Sequence, residues 1–179
     1  KKKSNREIKV LNLFAYTGCA SVACLKEGAS VVHVDSSRGM VDWAKENVKV
    51  NNLEDKPIRF LVDDCLKFVE REIRRGNKYD AIIMDPPSYG RGPSGEVWKL
   101  EKNLEELVSR CVLLLSDKPL FFLINAYTTG VSSTVLYHIL KLTVGKTYGG
   151  AIDAGQIGLP IKRNDLVLPC GIYGLWQDE

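Results

Sequence analysis

Short runs of β-branched and apolar residues alternate with helix-period segments along most of the chain, and this alternation constrains the fold more than any other feature. The predicted strands span residues 8–14, 30–35, 58–62, 81–84 and 120–124. Between them, apolar residues recur every three or four positions, which is typical of amphipathic helices. The predicted apolar stripes are Met40, Ala44 and Val48; Leu66, Val69 and Ile73; Leu100, Leu104, Leu107, Cys111 and Leu114; and Val131, Val135, Ile139 and Leu142. Since parallel strands need crossover connections, the pattern predicts a parallel sheet with helices on both faces.

The pattern changes after Lys146. Residues 149–176 are rich in glycine and contain two strand-like runs but no helical periodicity. These runs are expected to close the sheet as an antiparallel pair. The complete prediction is a Rossmann-like α/β fold with a seven-stranded, mostly parallel sheet and an antiparallel C-terminal strand pair.

Composition narrows the possible classes of protein. A chain of 179 residues fits one domain, and a net charge of +3 is too mild to require or exclude RNA. The five cysteines are scattered without a Cys-x-x-Cys pair and there are only two histidines, so neither a metal site nor a disulfide framework is expected. This usage favours a protein of the reducing cytoplasm. No run approaches the roughly 18 apolar residues of a membrane span.

The start of the chain superficially resembles a leader peptide, with three lysines before an apolar stretch. Asn12, Tyr16 and Thr17 interrupt that stretch, and the chain begins with Lys1 rather than Met. We therefore expect residues 1–179 to be one domain that a further N-terminal segment precedes.

The turn after the first predicted strand places one glycine in front of a helix. It reads Phe14-Ala15-Tyr16-Thr17-Gly18. Gly18 allows the backbone to approach a ligand closely, and the start of the next helix offers free N–H groups to an anion. The spacing differs from Gly-x-Gly-x-x-Gly, so the dinucleotide fingerprint is absent. A tight strand-to-helix connection explains the turn equally well.

Carboxylates follow the second and third predicted strands. Asp35 lies where a carboxylate accepts both hydroxyls of a ribose, and Asp64 lies where one would accept an adenine amino group. Each also has a structural interpretation. Asp35 would begin the turn before a helix, and Asp64 would cap the helix that follows it.

The fourth predicted strand runs into Asp85-Pro86-Pro87-Ser88-Tyr89. Two consecutive prolines fix φ and remove two backbone donors, which predicts a stiff loop with outward-pointing carbonyls. Such a loop suits the placement of an amino or ring-nitrogen group whose lone pair must point in one direction. The alternative is that the prolines merely end the strand.

Together these four turns resemble one family. Residues 11–18, 34–37, 43–47 and 85–89 are similar to the corresponding motifs of the class I methyltransferases, and among them to the bacterial large-subunit ribosomal RNA methyltransferases, which include cytosine-C5 and guanine-N7 enzymes. The resemblance covers nearly the whole chain. The pairing of Phe-x-Tyr-Thr-Gly with Asp-Pro-Pro-x-aromatic at this separation is specific, whereas each motif alone is not.

The resemblance implies S-adenosylmethionine as the cofactor, RNA as the substrate, and no metal. By position, Tyr16, Thr17 and Gly18 would hold the methionine end of the cofactor, Asp35 the ribose and Asp64 the adenine. The implied cofactor-binding residues are Phe14, Tyr16, Thr17, Gly18, Asp35, Ser36, Asp64, Cys65 and Asp85. The implied catalytic residues, which would frame the acceptor, are Asp85, Pro86, Pro87 and Tyr89.

Two departures from the family bear on the chemistry. Cytosine-C5 enzymes of this type place a cysteine nucleophile after the fifth strand, where this chain reads Asn125-Ala126-Tyr127-Thr128. Cys170 lies far along the chain and is expected to be a buried, structural residue. We therefore expect N-methylation rather than C5-methylation. The N-terminal RNA-binding module of the family is also absent from these residues.

Several alternatives remain open at this stage. One alternative is methylation of a protein or a small molecule, and another is cofactor binding without catalysis; the missing glycine fingerprint argues against a nicotinamide-dependent oxidoreductase. In the loop from Gly90 to Lys99, Arg91 and Lys99 would meet phosphates and Trp98 would stack on a base. A solvated loop with Trp98 packed against the next helix is an equally good interpretation. His33 is expected to be structural.

Overall fold

The computed structural model describes residues 6–91 and 97–178. Lys1–Lys3 and the central part of the predicted loop, Gly92–Glu96, lie outside the described residues, as does the side chain of Arg91. The elements are β1 (Lys9–Leu13), α1 (Cys19–Lys26), β2 (Ser30–Asp35), α2 (Arg38–Val50), β3 (Ile58–Val62), α3 (Cys65–Arg75), β4 (Ala81–Met84), β5 (Tyr89–Arg91), β6 (Val97–Lys99), α4 (Leu100–Val112), β7 (Phe121–Ala126), α5 (Ser133–Leu142), α6 (Val144–Tyr148), β8 (Ala151–Pro160) and β9 (Val167–Gln177).

The strands confirm the predicted fold class. Seven of them form a sheet in the order β3-β2-β1-β4-β7-β9-β8, while β5 and β6 form a separate antiparallel hairpin. The chain divides into two compact units, the first running to Met84 and including Leu113–Leu120, the second comprising Asp85–Val112 and the residues from Phe121 onward.

The first unit holds four parallel strands. β1 pairs with β2 on one side and β4 on the other, and β2 pairs with β3. Leu11, Leu13 and Ile82 are fully buried, as expected for parallel strands that are covered on both faces. The register places Leu13 beside Val34 and puts the carboxyl ends of β1, β2 and β3 at one edge. The turns that follow these strands therefore lie at the ligand-binding edge of such sheets.

The second unit contains the antiparallel strands. β9 is antiparallel to both β7 and β8, and helix α5 packs on β8 and β9. The predicted buried stripe of α5 is wrong, because Val135 and Leu142 are exposed whereas Leu136 and Leu140 are buried. The helix carries two apolar stripes. The stripe with Leu136 and Leu140 is the buried one, because Gly174 of β9 lets the helix approach the strand on that side. A Cβ at Gly174 would stand 2.9 Å from the Cβ of Leu136.

Candidate functional site

The turn after β1 has an unusual backbone. Phe14 and Tyr16 have φ of 52° and 48°, and Gly18, which precedes α1, has φ of 83°. A left-handed conformation costs a non-glycine residue roughly 1–2 kcal/mol and is concentrated at functional sites. Backbone hydrogen bonds from Ala15 to the carbonyl of Val34 (3.1 Å) and from Gly18 to the carbonyl of Ala15 (2.9 Å) hold the turn in place. The Tyr16 side chain is left 60% exposed at its surface.

Gly18 is required by its surroundings as well as by its φ. A Cβ at this position would stand 3.0 Å from the Cβ of Ala44 on α2 and 3.4 Å from Cε1 of His33. The turn therefore lies directly against α2, and Asn47 of the same helix donates a hydrogen bond of 2.8 Å to the carbonyl of Thr17. Sequence reasoning did not single out Asn47 as a functional residue, although the resemblance includes it within residues 43–47.

Asp35, the last residue of β2, connects two turns. Its Oδ2 accepts the N–H of Tyr16 and its Oδ1 accepts the N–H of Ser37, each at 2.9 Å. The second bond is the turn before a helix that the structural interpretation predicted. Because each carboxylate oxygen has two lone-pair sites, both oxygens keep one acceptor position beyond these bonds. Ser36, which lies between Asp35 and Ser37 in sequence, is exposed.

The third turn contains Asp64 and Cys65. Asp64 is the N-cap of α3, where its Oδ1 accepts the N–H of Lys67 at 2.9 Å, so its helix-capping role is confirmed. Cys65 is buried, and its sulfur accepts the N–H of Phe14 at 3.3 Å. Asp63 pairs with Arg71 of α3. The structure thus brings Phe14, Tyr16, Asp35 and Cys65 together through direct hydrogen bonds.

A buried polar chain lies below this turn and was not predicted as a unit. Asn12 of β1 donates to the hydroxyl of Ser21 at 2.9 Å, and that hydroxyl lies 3.0 Å from Nδ1 of His33. All three side chains are buried. Burial lowers the pKa of His33 to about 4, against a smaller opposing effect of Asp35, so the imidazole is neutral at pH 7. Asn12, an amide inside an apolar strand, was the available sequence signal.

The proline loop belongs to the second unit and is held from both sides. The indole N–H of Trp98 donates to the carbonyl of Pro87 at 2.7 Å, and the N–H of Leu100 donates to the carbonyl of Ser88 at 3.1 Å. The hydroxyl of Thr128 donates to that of Ser88 at 2.8 Å. Two of the carbonyls that were expected to point outward are therefore already engaged within the protein.

Two side chains of this loop remain accessible. Tyr89 is half exposed, and Asp85 is exposed as a residue. Partial burial of the carboxyl group raises the pKa of Asp85 above its usual value. A carboxylate of raised pKa is a better proton acceptor than an ordinary one. Pro86, which lies between these two residues in sequence, is buried and anchors the loop.

The expectation that Cys170 is buried is wrong. Cys170 lies at an exposed position of β9 and lines a cavity together with Tyr127, Thr128 and Thr129. The register shift in the β8–β9 ladder, between Ile157 and Gly158, lies beside this cavity. The sequence did not predict that Cys170 lies near the loop after β7, because the two are far apart along the chain and come together through the pairing of β7 with β9.

Residues 6–91 and 97–178 contain neither a metal-binding cluster nor a membrane-spanning helix. No group of three or more His, Cys, Asp or Glu side chains in these ranges is arranged to hold a metal ion. In the same ranges, no helix has the length and apolar character needed to cross a membrane.

Comparison with known proteins gives a family match. The model of a family described as S-adenosylmethionine-dependent methyltransferase matches residues 2–134, well over half of the chain. Among solved structures, an S-adenosylmethionine-dependent methyltransferase from Agrobacterium tumefaciens is 37% identical and superposes with a TM-score of 0.93, covering 99% of this chain and 58% of that one.

Curated relatives carry ribosomal RNA methyltransferase names. The chain is 43% identical over 108 residues to "Ribosomal RNA large subunit methyltransferase K/L" of Pseudoalteromonas atlantica, covering 59% of this chain and 15% of the relative. It is 32% identical over 152 residues to "Ribosomal RNA large subunit methyltransferase I" of an Enterobacter species, covering 84% of this chain and 36% of the relative. The chain therefore spans little more than a third of these proteins at most. The resemblance inferred from the turn motifs is confirmed.

Proposed function

Because the chain belongs to the S-adenosylmethionine-dependent methyltransferase family, we propose that it transfers the methyl group of this cofactor to a nitrogen atom of large-subunit ribosomal RNA. The observation that carries the proposal is the hydrogen bond from Tyr16 to Asp35 at the carboxyl ends of β1 and β2, in the same turn as Gly18.

The residues of the first unit fit the cofactor. Gly18, with φ of 83°, precedes α1, and the backbone N–H groups at the start of a helix attract the carboxylate of a bound amino acid. Asp35 retains an acceptor position on each oxygen, which suits the two hydroxyls of a ribose. We propose that Phe14, Tyr16 and Thr17 complete the methionine end.

Asp64 and its neighbours would serve the adenine. The capping bond occupies one oxygen of Asp64 and leaves the other to accept an amino N–H. Cys65 is too buried to offer much surface, so we propose that it acts by fixing the backbone of Phe14. Ser36 is exposed next to Asp35 and is assigned to the ribose side.

Asp85 is the proposed acceptor of the proton in the reaction. The cofactor supplies an electrophilic methyl group on a positively charged sulfur. When the acceptor is an amino nitrogen, that nitrogen would form a bond to the methyl carbon as the carbon–sulfur bond breaks, and one N–H proton would leave. The carboxylate of Asp85, with its raised pKa, would orient the N–H and take that proton. Pro86, Pro87 and Tyr89 would frame the acceptor.

One observation supports nitrogen rather than carbon as the target, and the rigidity of the proline loop supports methyl transfer to either atom. The loop after β7 contains no thiol, and attack on C6 of a pyrimidine, which C5-methylation requires, needs a thiolate. The bonds from Trp98 and Leu100 hold the proline loop rigid, and rigid placement supplies much of the rate in methyl transfer. The names of the curated relatives support ribosomal RNA as the substrate.

The test is incubation of the protein with methyl-labelled S-adenosylmethionine and deproteinised large-subunit RNA, followed by mass spectrometry of the digested nucleosides. We expect label in one N-methylated nucleoside. Label in 5-methylcytidine would refute N-methylation while keeping the RNA substrate. Binding of S-adenosylhomocysteine without transfer to RNA, protein or metabolite extracts would indicate a cofactor-binding module.

A further inference from the structure

A cavity of about 330 Å³ lies in the second unit, away from the turns of β1 and β2 in sequence. The loop after β7 forms one wall, and strands β8 and β9 form the other. The residues that line the cavity are Ala126, Tyr127, Thr128, Thr129, Val131, Gln156, Pro169, Cys170, Gly171 and Ile172. Its volume falls at the lower end of the range of small-molecule sites, roughly 300 to 1,000 Å³.

Local backbone features build this cavity. Gly171 has φ of 144°, and a Cβ at this position would stand 2.6 Å from the carbonyl oxygen of Ala126. Only glycine therefore lets β9 approach the end of β7 so closely. On β8, the irregularity between Ile157 and Gly158 lies one residue beyond Gln156. Bulges of this kind redirect side chains and occur often beside binding sites.

The lining has no formal charge. None of its ten residues is Asp, Glu, Lys, Arg or His, so nothing within it would hold a phosphate. It instead offers the amide of Gln156 and the hydroxyl of Thr129, which both donate and accept hydrogen bonds, whereas the hydroxyl of Thr128 already donates to Ser88. Tyr127, which also lines the cavity, is 57% exposed. Such a lining matches a neutral, planar ligand with donors and acceptors around its rim.

We propose that this cavity binds an unstacked nucleobase of the RNA strand that the protein methylates. The inference rests on the proposed function. Bases of single-stranded RNA are recognised by stacking on an aromatic ring and by hydrogen bonds to their edges. Tyr127 supplies the ring, and Gln156 with Thr129 supplies the edge contacts. The Thr128–Ser88 hydrogen bond connects the cavity wall to the proline loop within the same unit.

Cys170 provides a direct measurement of occupancy. Its thiol is exposed in the cavity wall, and Cys19 is an exposed thiol at the start of α1 in the other unit. We would alkylate the protein for short times in the presence of 12-residue homopolymers of A, C, G or U RNA, and quantify both modified peptides by mass spectrometry. At least one homopolymer should slow alkylation of Cys170 about fivefold or more, while Cys19 reacts at an unchanged rate.

Substitutions at matched positions complete the test. Gln156→Ala should weaken binding of the protecting homopolymer roughly three- to tenfold, the effect of one lost hydrogen bond. Gln177→Ala removes the same side chain from an exposed position of β9 outside the cavity lining and should leave binding unchanged.

Three results would overturn the inference: a homopolymer that binds without protecting Cys170, equal effects of Gln156→Ala and Gln177→Ala, or no binding by any homopolymer. Calorimetry with S-adenosylhomocysteine separates this failure from that of the proposed function. If the cofactor product binds and Cys170 is never protected, the cavity assignment alone is wrong. If neither ligand binds, both are wrong.

Discussion

The carboxylate of Asp35 accepts the backbone N–H of Tyr16 at 2.9 Å, across 19 positions of sequence. This bond holds a left-handed tyrosine, with φ of 48°, at the end of β1. The same carboxylate fixes the start of α2 through Ser37. One side chain therefore shapes both turns of the proposed cofactor site while keeping acceptor positions for a ligand.

Replacing Asp35 tests this arrangement. Asp35→Ala should weaken S-adenosylhomocysteine binding by roughly 10- to 100-fold, because hydrogen bonds to a charged acceptor contribute about 1.5–3 kcal/mol. Isothermal titration calorimetry measures the change. Asp42→Ala, at an exposed position of α2 where the carboxylate pairs with Lys45, is the control and should bind normally. An unchanged dissociation constant in folded Asp35→Ala would remove Asp35 from the site.

Gly18 and Gly28 form a matched pair for the close approach of the turn to α2. Both have positive φ, 83° and 86°, but a Cβ at Gly28 meets nothing within 4 Å. Gly28→Ala should therefore cost about 1–2 kcal/mol of unfolding free energy from backbone strain alone. Gly18→Ala should lower the unfolding free energy further, because Ala44 must move. It should also weaken the binding of S-adenosylhomocysteine. Urea denaturation and calorimetry give both quantities, and equal behaviour of the two variants would contradict the close approach.

Trp98→Phe tests the support of the proline loop. The ring remains but the hydrogen bond to Pro87 is lost, which is worth about 0.5–1.5 kcal/mol. We expect kcat on RNA to fall roughly two- to tenfold while S-adenosylhomocysteine binds as before. Trp43→Phe, at an exposed position of α2, is the control. If Trp98→Phe turned over at the normal rate, the loop would not depend on this bond.

Cys170 decides whether a covalent route operates. Its exposure beside the loop after β7 makes it the cysteine to test. Without a nucleophilic thiol in the reaction, Cys170→Ser should keep turnover within about tenfold of the parent, as should the exposed control Cys19→Ser. A crosslinked complex with RNA containing 5-fluorocytosine, lost in Cys170→Ser, would instead establish C5 chemistry.

The buried position of His33 predicts that folding stability falls in acid. Its pKa is about 4 in the folded protein and near 6.5 in the unfolded chain, so the unfolded chain binds more protons between these values. The stability contributed by neutral His33 is complete above pH 6.5, falls as the pH drops, and is lost by pH 4, a change of about 3 kcal/mol. His33→Gln should lack this component in urea denaturation across that range. The exposed His138→Gln should retain it, and parallel pH profiles for all three proteins would contradict the assignment.

The sequence alone was sufficient for the bounds of three strands, whereas the β5–β6 hairpin falls in a stretch that was predicted as a loop. It predicted β2, β3 and β4 with the bounds that the structure has, because short β-branched runs bounded by turn residues strongly favour strands. The predicted apolar stripe of Leu66, Val69 and Ile73 likewise lies within α3. The family follows from the turn motifs, since residues directly after parallel strands lie together at one edge of a sheet.

Only the tertiary structure decided which groups face each other. The buried stripe of α5 depends on where Gly174 lets the helix approach, and the exposure of Cys170 depends on Gly171 meeting Ala126. The carbonyl of Pro87 is engaged because the β5–β6 hairpin returns Trp98 to it. Each of these contacts joins residues distant along the chain, and local propensity contains no information about them. Periodicity specifies that a helix has an apolar face. Packing against a particular strand determines which face is buried and which side chains stay exposed to ligands.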